Sequence, residues 1–318
     1  MRKFISFLSA DIEAYISFKK AADRWNDTYE IQLSLFDKYC CRQYPDSTSL
    51  SQEMLDRWCN KHDTETNNSC RSRTNAIVSF IRYLRKRGLT NVTEPSIPMN
   101  EAFNYIPHAF TESELKNFFK ACDEIPAQSA SRIKELRRLT IPVFFRLLYS
   151  SGMRTKEARL IQTADVDLMH GVLNIRYSKG HHQHFAVLHD TMLELMRKYD
   201  TVMREFCPGR TFFFPDRHGS FHNEKWVNEN FRQLWGKYND GRAITYDLRH
   251  NYATENINGW IGEGFGFDAK LLCLSKSMGH YSTECTKYYY SLVPGLADVI
   301  ERNSSDDTII PEVNYESN

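Results

Sequence analysis

The stretch LTIPVFFRLLYSSGMRTKEARLIQ, residues 139–162, passes from an almost wholly apolar segment into a charged one. Apolar residues surround the helical projection of its first half, which predicts a buried helix. Glycine favours the left-handed conformation in which helices commonly end, so we expect this helix to end at Gly152. The following KEARLIQ predicts a short second helix. Arg154 should therefore lie in the turn between a buried helix and an exposed one.

Downstream of this segment, the sequence predicts a small antiparallel sheet followed by helices. The runs VDL, VLNIRY and HFAVLH are short and β-type, and turns such as SKGHHQ join them. Helical spacing of apolar residues dominates from TMLELMRKYD to TECTKYYYSL. Upstream, Thr111 and Glu114 form a capping box before another helix. Residues 111–303 are expected to form one mainly helical α+β domain.

Residues 1–95 predict a separate helical domain. The segments IQLSLFDKYCCRQY, SQEMLDRWCNKH and NAIVSFIRYLRKRG have apolar residues at three- and four-residue spacing, and Gly88 is placed to cap the last helix. Asp11 and Glu13 interrupt the first apolar stretch too early for a signal peptide, so an amphipathic helix is expected there. A proline-containing stretch predicts a linker over residues 96–110.

Charge is unevenly distributed along the chain. The 318 residues are enough for two domains with separate cores, and the formal net charge is only +1. Residues 71–87, RSRTNAIVSFIRYLRKR, carry basic residues and no acid, whereas residues 304–318 are acidic and predict a flexible tail. A basic surface fits a nucleic-acid partner, but one basic run is equally typical of a solvated helix face.

The spacing of the cysteines and the length of the apolar segments bear on the cellular compartment of the protein. The eight cysteines are scattered without a CxxC pair, which favours reduced thiols over a zinc site or a disulfide framework. No segment approaches the ~18 uninterrupted apolar residues of a membrane helix, so we expect no membrane partner. These features predict a cytoplasmic protein.

Four separated segments of the second domain place basic residues beside a helix or turn. They are SSGMRTKEARL with Arg154, YSKGHH with Lys179, TYDLRHNYAT with Arg249 and His250, and SMGHYSTECTKYYY with His280. Each residue alone has an ordinary structural explanation, such as an ion pair of Arg154 with Glu157.

Together these segments resemble the tyrosine recombinase (phage integrase) family, of the Xer-like or mobile-element type, over residues 110–300. The resemblance implies a two-domain DNA clamp, with an N-terminal helical bundle that binds the core DNA site and a catalytic domain. It also implies a catalytic set that comprises Arg154, Lys179, Tyr246, Arg249, His280 and Tyr289, with Glu157 and His250 in support.

Three consecutive tyrosines, residues 288–290, are candidates for the nucleophile. In the family a threonine precedes the nucleophile by three residues, and Thr286 precedes Tyr289 by three. Successive helical residues point about 100° apart, so only one of the three can face the site. The resemblance therefore predicts Tyr289 as the nucleophile, and Tyr288 and Tyr290 as packing or DNA-contact residues.

The implied substrate is a phosphodiester of double-stranded DNA. Tyrosine attack on phosphorus gives a 3′-phosphotyrosyl link and a free 5′-hydroxyl. Arg154 and Arg249 offer permanently charged donors to the phosphate oxygens, Lys179 is suited to protonate the departing 5′-oxygen, and His280 donates a further hydrogen bond. Because the covalent link conserves the bond energy, neither a nucleotide cofactor nor a metal is expected.

Position 246 departs from the family pattern. Most members have histidine three residues before the second arginine, whereas this chain has Tyr246. A phenol with a pKa of about 10 is a poor proton acceptor at neutral pH. We hypothesise that Tyr246 keeps a positioning role and that the enzyme is active. Complete loss of DNA cleavage in Tyr246→His would refute a histidine-like role at this position.

Further residues are predicted to contact the DNA backbone. The basic run of the first domain and the turn HHQH of the second contribute the candidates Arg71, Arg73, Arg82, Arg85, Lys86, His182 and His184. The histidines of this turn also suggest metal binding. However, no carboxylate or cysteine lies at ligand spacing beside them, so no metal site is predicted.

The resemblance further implies partners and leaves alternatives open. It implies a homotetramer on two duplexes with inverted-repeat-like sites, nucleoid-associated when bound, and a possible second recombinase or accessory protein. A type IB topoisomerase-like enzyme shares the chemistry but works as a monomer. A catalytically weakened DNA-binding accessory protein is the other alternative, which Tyr246 supports. A covalent DNA adduct would separate the enzymes from the accessory protein.

Overall fold

The computed structural model describes residues 3–22, 25, 27–101, 105–127, 131–176, 183–260, 267–280, 282, 284–287 and 289. The chain divides into two compact units, residues 1–105 and 106–318, and the division falls inside the predicted linker. Some predictions lie outside the described residues: those for Lys179, His182, Tyr288, Tyr290, the end of the catalytic domain to residue 303 and the tail 304–318.

Unit 1 is helical. Its helices are α1 (Ser9–Ala21), α2 (Asp27–Gln43), α3 (Gln52–Cys59) and α4 (Asn67–Lys86). They bury a core rich in aromatic residues, in which Tyr15, Phe36 and Phe80 are fully buried. At the end of α4, the amide of Leu89 donates to the carbonyl of Leu84 and the amide of Gly88 to that of Arg85. This is the glycine-terminated helix end that the sequence predicts at Gly88.

Much of the predicted linker belongs to unit 1. The side chain of Gln52 bonds the backbone and hydroxyl of Thr93, and Asn68 exchanges two hydrogen bonds with the backbone of Glu101. Because these contacts return to α3 and α4, residues 93–101 pack along the bundle rather than forming a spacer.

Unit 2 is mainly helical with one small sheet, so the predicted fold class is confirmed. Its elements are α5 (Glu112–Asp123), α6 (Arg132–Ser151), α7 (Thr155–Leu160), β1 (Val166–Asp167), β2 (Val172–Ile175), β3 (His184–Val187), α8 (Asp190–Phe206), α9 (Glu224–Trp235), α10 (Asp247–Asn258), α11 (Phe267–Ser277) and α12 (Glu284–Lys287). The antiparallel sheet has the order β1-β2-β3, with Leu173 opposite Ala186. The capping box of Thr111 and Glu114 opens α5 as predicted.

Helix α6 lies at the centre of the unit 2 core. Phe144 and Phe145 are fully buried and contact aromatic rings of other elements, including Phe118 and Phe214. The helix ends at Gly152, which has φ +62°. A Cβ at Gly152 would lie 2.2 Å from Cδ1 of Tyr252. Both the left-handed backbone and this close approach require glycine, so the end of α6 is fixed against α10.

None of the eight cysteines forms a disulfide. Burial raises the pKa of Cys40 and Cys122 to about 12. Since the thiolate is the reactive form, these buried thiols are chemically inert at neutral pH.

Candidate active site

Arg154 lies immediately after the end of α6 and before α7. Its backbone amide donates to Oε2 of Glu157 over 2.8 Å, and its Nη1 donates to Oε1 of the same carboxylate over 2.7 Å. Its Nη2 donates to the carbonyl of Gly279 over 2.9 Å. The Glu157 side chain is only 1% exposed, whereas that of Arg154 is 19% exposed. Glu157 therefore fixes the guanidinium of Arg154 while leaving part of it accessible.

Arg249 projects from α10 and is 2% exposed. Its Nη1 donates to the carbonyl of Gly152 over 2.5 Å and its Nη2 to that of Met278 over 2.8 Å. Among the described residues, its Nε has no hydrogen-bond partner and its charge has no carboxylate in ion-pair contact. Burial, and then the neighbouring charge of Arg154, lower the pKa of Arg249. A guanidinium still stays protonated at neutral pH, so the site holds a buried positive charge with unused donors.

The turn after α11 brings His280 to the two arginines. Gly279 has φ +63°, and a Cβ there would lie 2.5 Å from Cε1 of His184. Only glycine fits this left-handed, closely packed position. Nδ1 of His280 lies 2.7 Å from Oγ1 of the fully buried Thr286. Burial and the charges of both arginines lower the pKa of His280 to about 4, so the ring is neutral at pH 7.

Tyr289 is the member of the tyrosine triplet that the structure describes. It is 3% exposed and packs in a small apolar cluster with Ile257, Leu274 and Met278. Its ring lies nearly parallel to that of His280, with centroids 6.1 Å apart and planes at 14°. The ring of His250 is 5.5 Å away on centroids. Tyr289 therefore lies among the histidines that accompany the arginine pair.

Tyr246 lies at the edge of this arrangement. It caps α10 and is 41% exposed. Its ring meets that of His250 edge-to-face, with centroids 5.0 Å apart. His250 is 8% exposed and lies between Tyr246 and Tyr289. A cavity of about 730 Å³ opens beside Thr155 and Tyr246, and Arg232 and Arg242 line it.

His184 differs from the expectation. It was placed in a turn that contacts DNA, but β3 begins at His184 and directs the ring towards Gly279, and both ring nitrogens are buried. Strand alternation explains this position, because His184 and the buried Ala186 share the inward face. The contact of His184 with the DNA backbone stays a prediction.

Arg73 of unit 1 is buried and paired with a carboxylate. It is 6% exposed, and its guanidinium bonds both carboxylate oxygens of Glu65, with Nη2 to Oε2 at 2.5 Å. It also donates to the carbonyl of Asn60. Arg73 is therefore held by Glu65 and Asn60 on the core side of α4, and its contact with DNA stays a prediction.

The other predicted basic residues of unit 1 are more accessible. Arg82 donates to Glu94 over 2.8 Å, and Arg85 lies 3.9 Å from the same carboxylate. Arg71 donates to the carbonyl of Pro98 over 2.7 Å. Lys86 is exposed. Arg71, Arg82, Arg85 and Lys86 remain predicted DNA contacts, and two of them share one acidic partner.

Sequence reasoning missed the backbone carbonyls that hold the arginines. The carbonyls of Gly152, Met278 and Gly279 each accept one guanidinium hydrogen bond. The available signal was a glycine two residues before Arg154 and another directly before His280. The order of the motifs along the sequence does not show that the backbone carbonyls of one motif accept hydrogen bonds from the arginine of another.

The site is of a recognisable class: two arginines, a neutral histidine and a tyrosine meet, which suits attack of a phenol on a phosphodiester. A sequence model of the phage integrase family matches residues 108–294, more than half of the chain. The chain belongs to the phage integrase family, and the predicted class of tyrosine site-specific recombinase is confirmed.

This chain is similar in sequence to curated integrases and recombinases. The y4rE integrase/recombinase of Sinorhizobium fredii is 26% identical over 297 residues, covering 91% of this chain and 93% of the relative. Tyrosine recombinase XerC of Chlorobaculum parvum is 24% identical over 235 residues, covering 67% of this chain and 66% of XerC.

Solved structures share the fold. XerH site-specific recombinase bound to palindromic difH substrate, in a post-cleavage complex, has a TM-score of 0.58 at 18% identity and covers 88% of this chain and 79% of XerH. A lambda integrase tetramer bound to a Holliday junction has a TM-score of 0.56 at 13% identity and covers 90% and 77% of the two chains.

Proposed function

We propose that this recombinase cuts and rejoins DNA strands at specific sites through a covalent 3′-phosphotyrosyl intermediate on Tyr289. The observation that carries the proposal is the buried guanidinium of Arg249, held by carbonyl groups and not neutralised by a contacting carboxylate among the described residues. A buried charge without such a partner is costly, and an incoming phosphate anion would offset that cost.

The arginine pair would bind the scissile phosphate. Arg249 uses two of the five N–H donors of a guanidinium for the carbonyls of Gly152 and Met278, which leaves donors for the nonbridging oxygens. Arg154 is fixed by Glu157 in the same site. Because negative charge accumulates on these oxygens in the transition state, preorganised guanidinium groups lower the barrier.

His280 and Tyr289 would complete the reaction. The neutral imidazole of His280 can donate from Nε2 if Nδ1 accepts from the hydroxyl of Thr286. Attack by the Tyr289 oxygen forms the O–P bond as the bond to the 5′-oxygen breaks. Lys179, outside the described residues, is the proposed donor of the proton to the 5′-oxygen.

Double-stranded DNA is the proposed substrate, with a homo-oligomer as the active assembly. XerH is described on a palindromic substrate, and lambda integrase as a tetramer on a Holliday junction. These neighbours support inverted-repeat-like sites and a tetramer on two duplexes for this chain. The topoisomerase-like and accessory-protein alternatives are not favoured, since the named relatives are recombinases.

A cytoplasmic location, with nucleoid association on DNA, is part of the proposal. Among the residues described, no helix has the length and apolarity to cross a bilayer.

A nicked suicide substrate made from the ends of the element, or random duplexes if the ends are unknown, tests the proposed function. The expected result is a protein–DNA adduct on a denaturing gel, with mass spectrometry placing the modification on Tyr289. Tyr289→Phe is the matched control, because it removes only the hydroxyl and should bind DNA without forming the adduct. An adduct on Tyr288 or Tyr290 would overturn the choice of nucleophile, and specific binding without any adduct would support the accessory-protein alternative.

A further inference from the structure

The attacking tyrosine needs a residue that accepts its proton. Tyr246 occupies the position where the family has histidine, but a phenol is protonated at neutral pH and accepts a proton poorly. Tyr246 is also 41% exposed and approaches the site through its ring edge on His250. Its ring contact is therefore with a second residue, His250.

His250 is the imidazole on which Tyr246 and Tyr289 converge. Its ring centroid lies 5.0 Å from that of Tyr246 and 5.5 Å from that of Tyr289, with interplanar angles of 77° and 57°. It is 8% exposed, so bulk water does not compete for it. Among the histidines of the site, His280 is already bonded to Thr286 through Nδ1.

Charged groups around His250 are arranged for proton acceptance. The fully buried Asp247 lies one helical turn before it on α10. Burial lowers the pKa of His250, Asp247 opposes this shift, and Arg249 adds to it. The ring is therefore neutral at pH 7, and Asp247 stabilises the imidazolium once a proton arrives. The titratable rings of Tyr246 and Tyr289 also face that of His250.

We propose that His250, supported by Asp247, accepts the proton of Tyr289 during strand cleavage and returns it during rejoining. In cleavage, the proton moves from the phenol oxygen to an imidazole nitrogen as that oxygen bonds to phosphorus. The bond from phosphorus to the 5′-oxygen breaks, and the 5′-oxygen takes its proton from a separate donor. Rejoining reverses each transfer. The inference rests on the proposed function, because it requires Tyr289 as nucleophile.

Single-turnover cleavage assays of His250→Gln, Tyr246→Phe and the unchanged protein test this inference. General-base catalysis contributes about 10²- to 10⁴-fold, so His250→Gln should slow adduct formation at pH 7 by at least about 10²-fold. A substrate with a 5′-bridging sulfur isolates this step, because a thiolate leaves without protonation. The defect of His250→Gln should persist on the sulfur substrate, and added imidazole should rescue His250→Ala.

A control variant and a test of folding accompany the cleavage assay. His222→Gln alters another buried histidine, which stacks on Trp226 outside the catalytic set, and should not change the pH dependence of cleavage. Normal DNA binding in a gel shift shows that a variant is folded. If His250→Gln does not fold, the pH dependence of the unchanged protein tests the inference. Its cleavage rate on the sulfur substrate should stay level through the ordinary histidine pKa of about 6.5 and fall only at lower pH, because burial lowers the pKa of His250.

Three results would overturn the inference. They are a larger loss in Tyr246→Phe than in His250→Gln, restoration of His250→Gln by the sulfur substrate, and a rate for the unchanged protein that rises steadily towards pH 10. Absence of any Tyr289 adduct in the unchanged protein would instead overturn the proposed function.

Discussion

Two buried arginines, one in each unit, have opposite surroundings. Arg73 in unit 1 is 6% exposed and bonds both oxygens of Glu65, whereas Arg249 in unit 2 is 2% exposed and bonds carbonyl groups of Gly152 and Met278. Burial acts to lower the pKa of Arg73, but its bonds to Glu65 leave that pKa raised. Burial and the charge of Arg154 lower the pKa of Arg249. A paired arginine stabilises a fold, and one without a contacting carboxylate is available to an anion.

Replacing Arg249 should give the largest effect. Arg249→Lys keeps the charge but loses the planar arrangement of five donors. We expect cleavage to fall by about 10³-fold, equivalent to about 4 kcal/mol, while DNA binding is retained. Single-turnover adduct formation measures the first quantity and a gel shift the second. Near-normal cleavage would show that Arg249 supports only the fold.

Removing the guanidinium of Arg73 should destabilise unit 1. Arg73→Met leaves Glu65 as a poorly compensated carboxylate, a change that costs about 3 kcal/mol when a buried pair is broken. Arg249→Met should cost less, because it leaves only neutral carbonyls without a partner. Urea denaturation of both variants measures the two losses of unfolding free energy. A larger loss in Arg249→Met than in Arg73→Met would contradict the prediction.

The two units should respond differently to mild acid. Burial lowers the pKa of His222 to about 4, and His280 has a similarly low pKa. The unfolded state therefore binds protons first, so unit 2 loses stability as the pH falls from about 6.5 towards 4. The bonds of Arg73 lower the pKa of Glu65, so its contribution to unit 1 disappears only below that carboxyl group's ordinary range.

Hydrogen exchange corrected for intrinsic rates, at pH 7 and pH 5, can follow each unit separately. His222, 7% exposed, alone predicts a loss of about 1–2 kcal/mol in unit 2 over this interval. His222→Gln should reduce that loss. Equal losses of stability in the two units between pH 7 and pH 5 would contradict the assignment of the acid sensitivity to the buried histidines of unit 2.

Exposed charges on unit 1 should have the smallest effects. Lys86 is exposed, whereas Arg82 bonds Glu94. If Lys86 contacts a phosphate, Lys86→Ala should weaken DNA binding modestly and reduce the slope of log affinity against log salt by about 0.9. Arg73→Lys, which keeps a charge at the buried position, should leave the slope unchanged. A change of slope in both variants would remove the distinction between buried and exposed basic residues.

The sequence by itself determined the helices, the three short strands and the linear order of the site. Periodicity and capping residues predicted α5, α6 and the end of α4, because these depend on local backbone geometry. Sequence patterns did not show that residues 93–101, which overlap the predicted linker, bond to helices that lie far from them in sequence.

Tertiary structure alone decided which cations are paired. The run RSRTNAIVSFIRYLRKR does not distinguish Arg73, which is turned towards Glu65, from Lys86, which is exposed. Nor does it show that Arg249 reaches the carbonyls of Gly152 and Met278, 97 and 29 residues away. Local sequence sets backbone conformation, but burial and electrostatics depend on which distant segments pack together. Folding therefore gives identical side chains different surroundings.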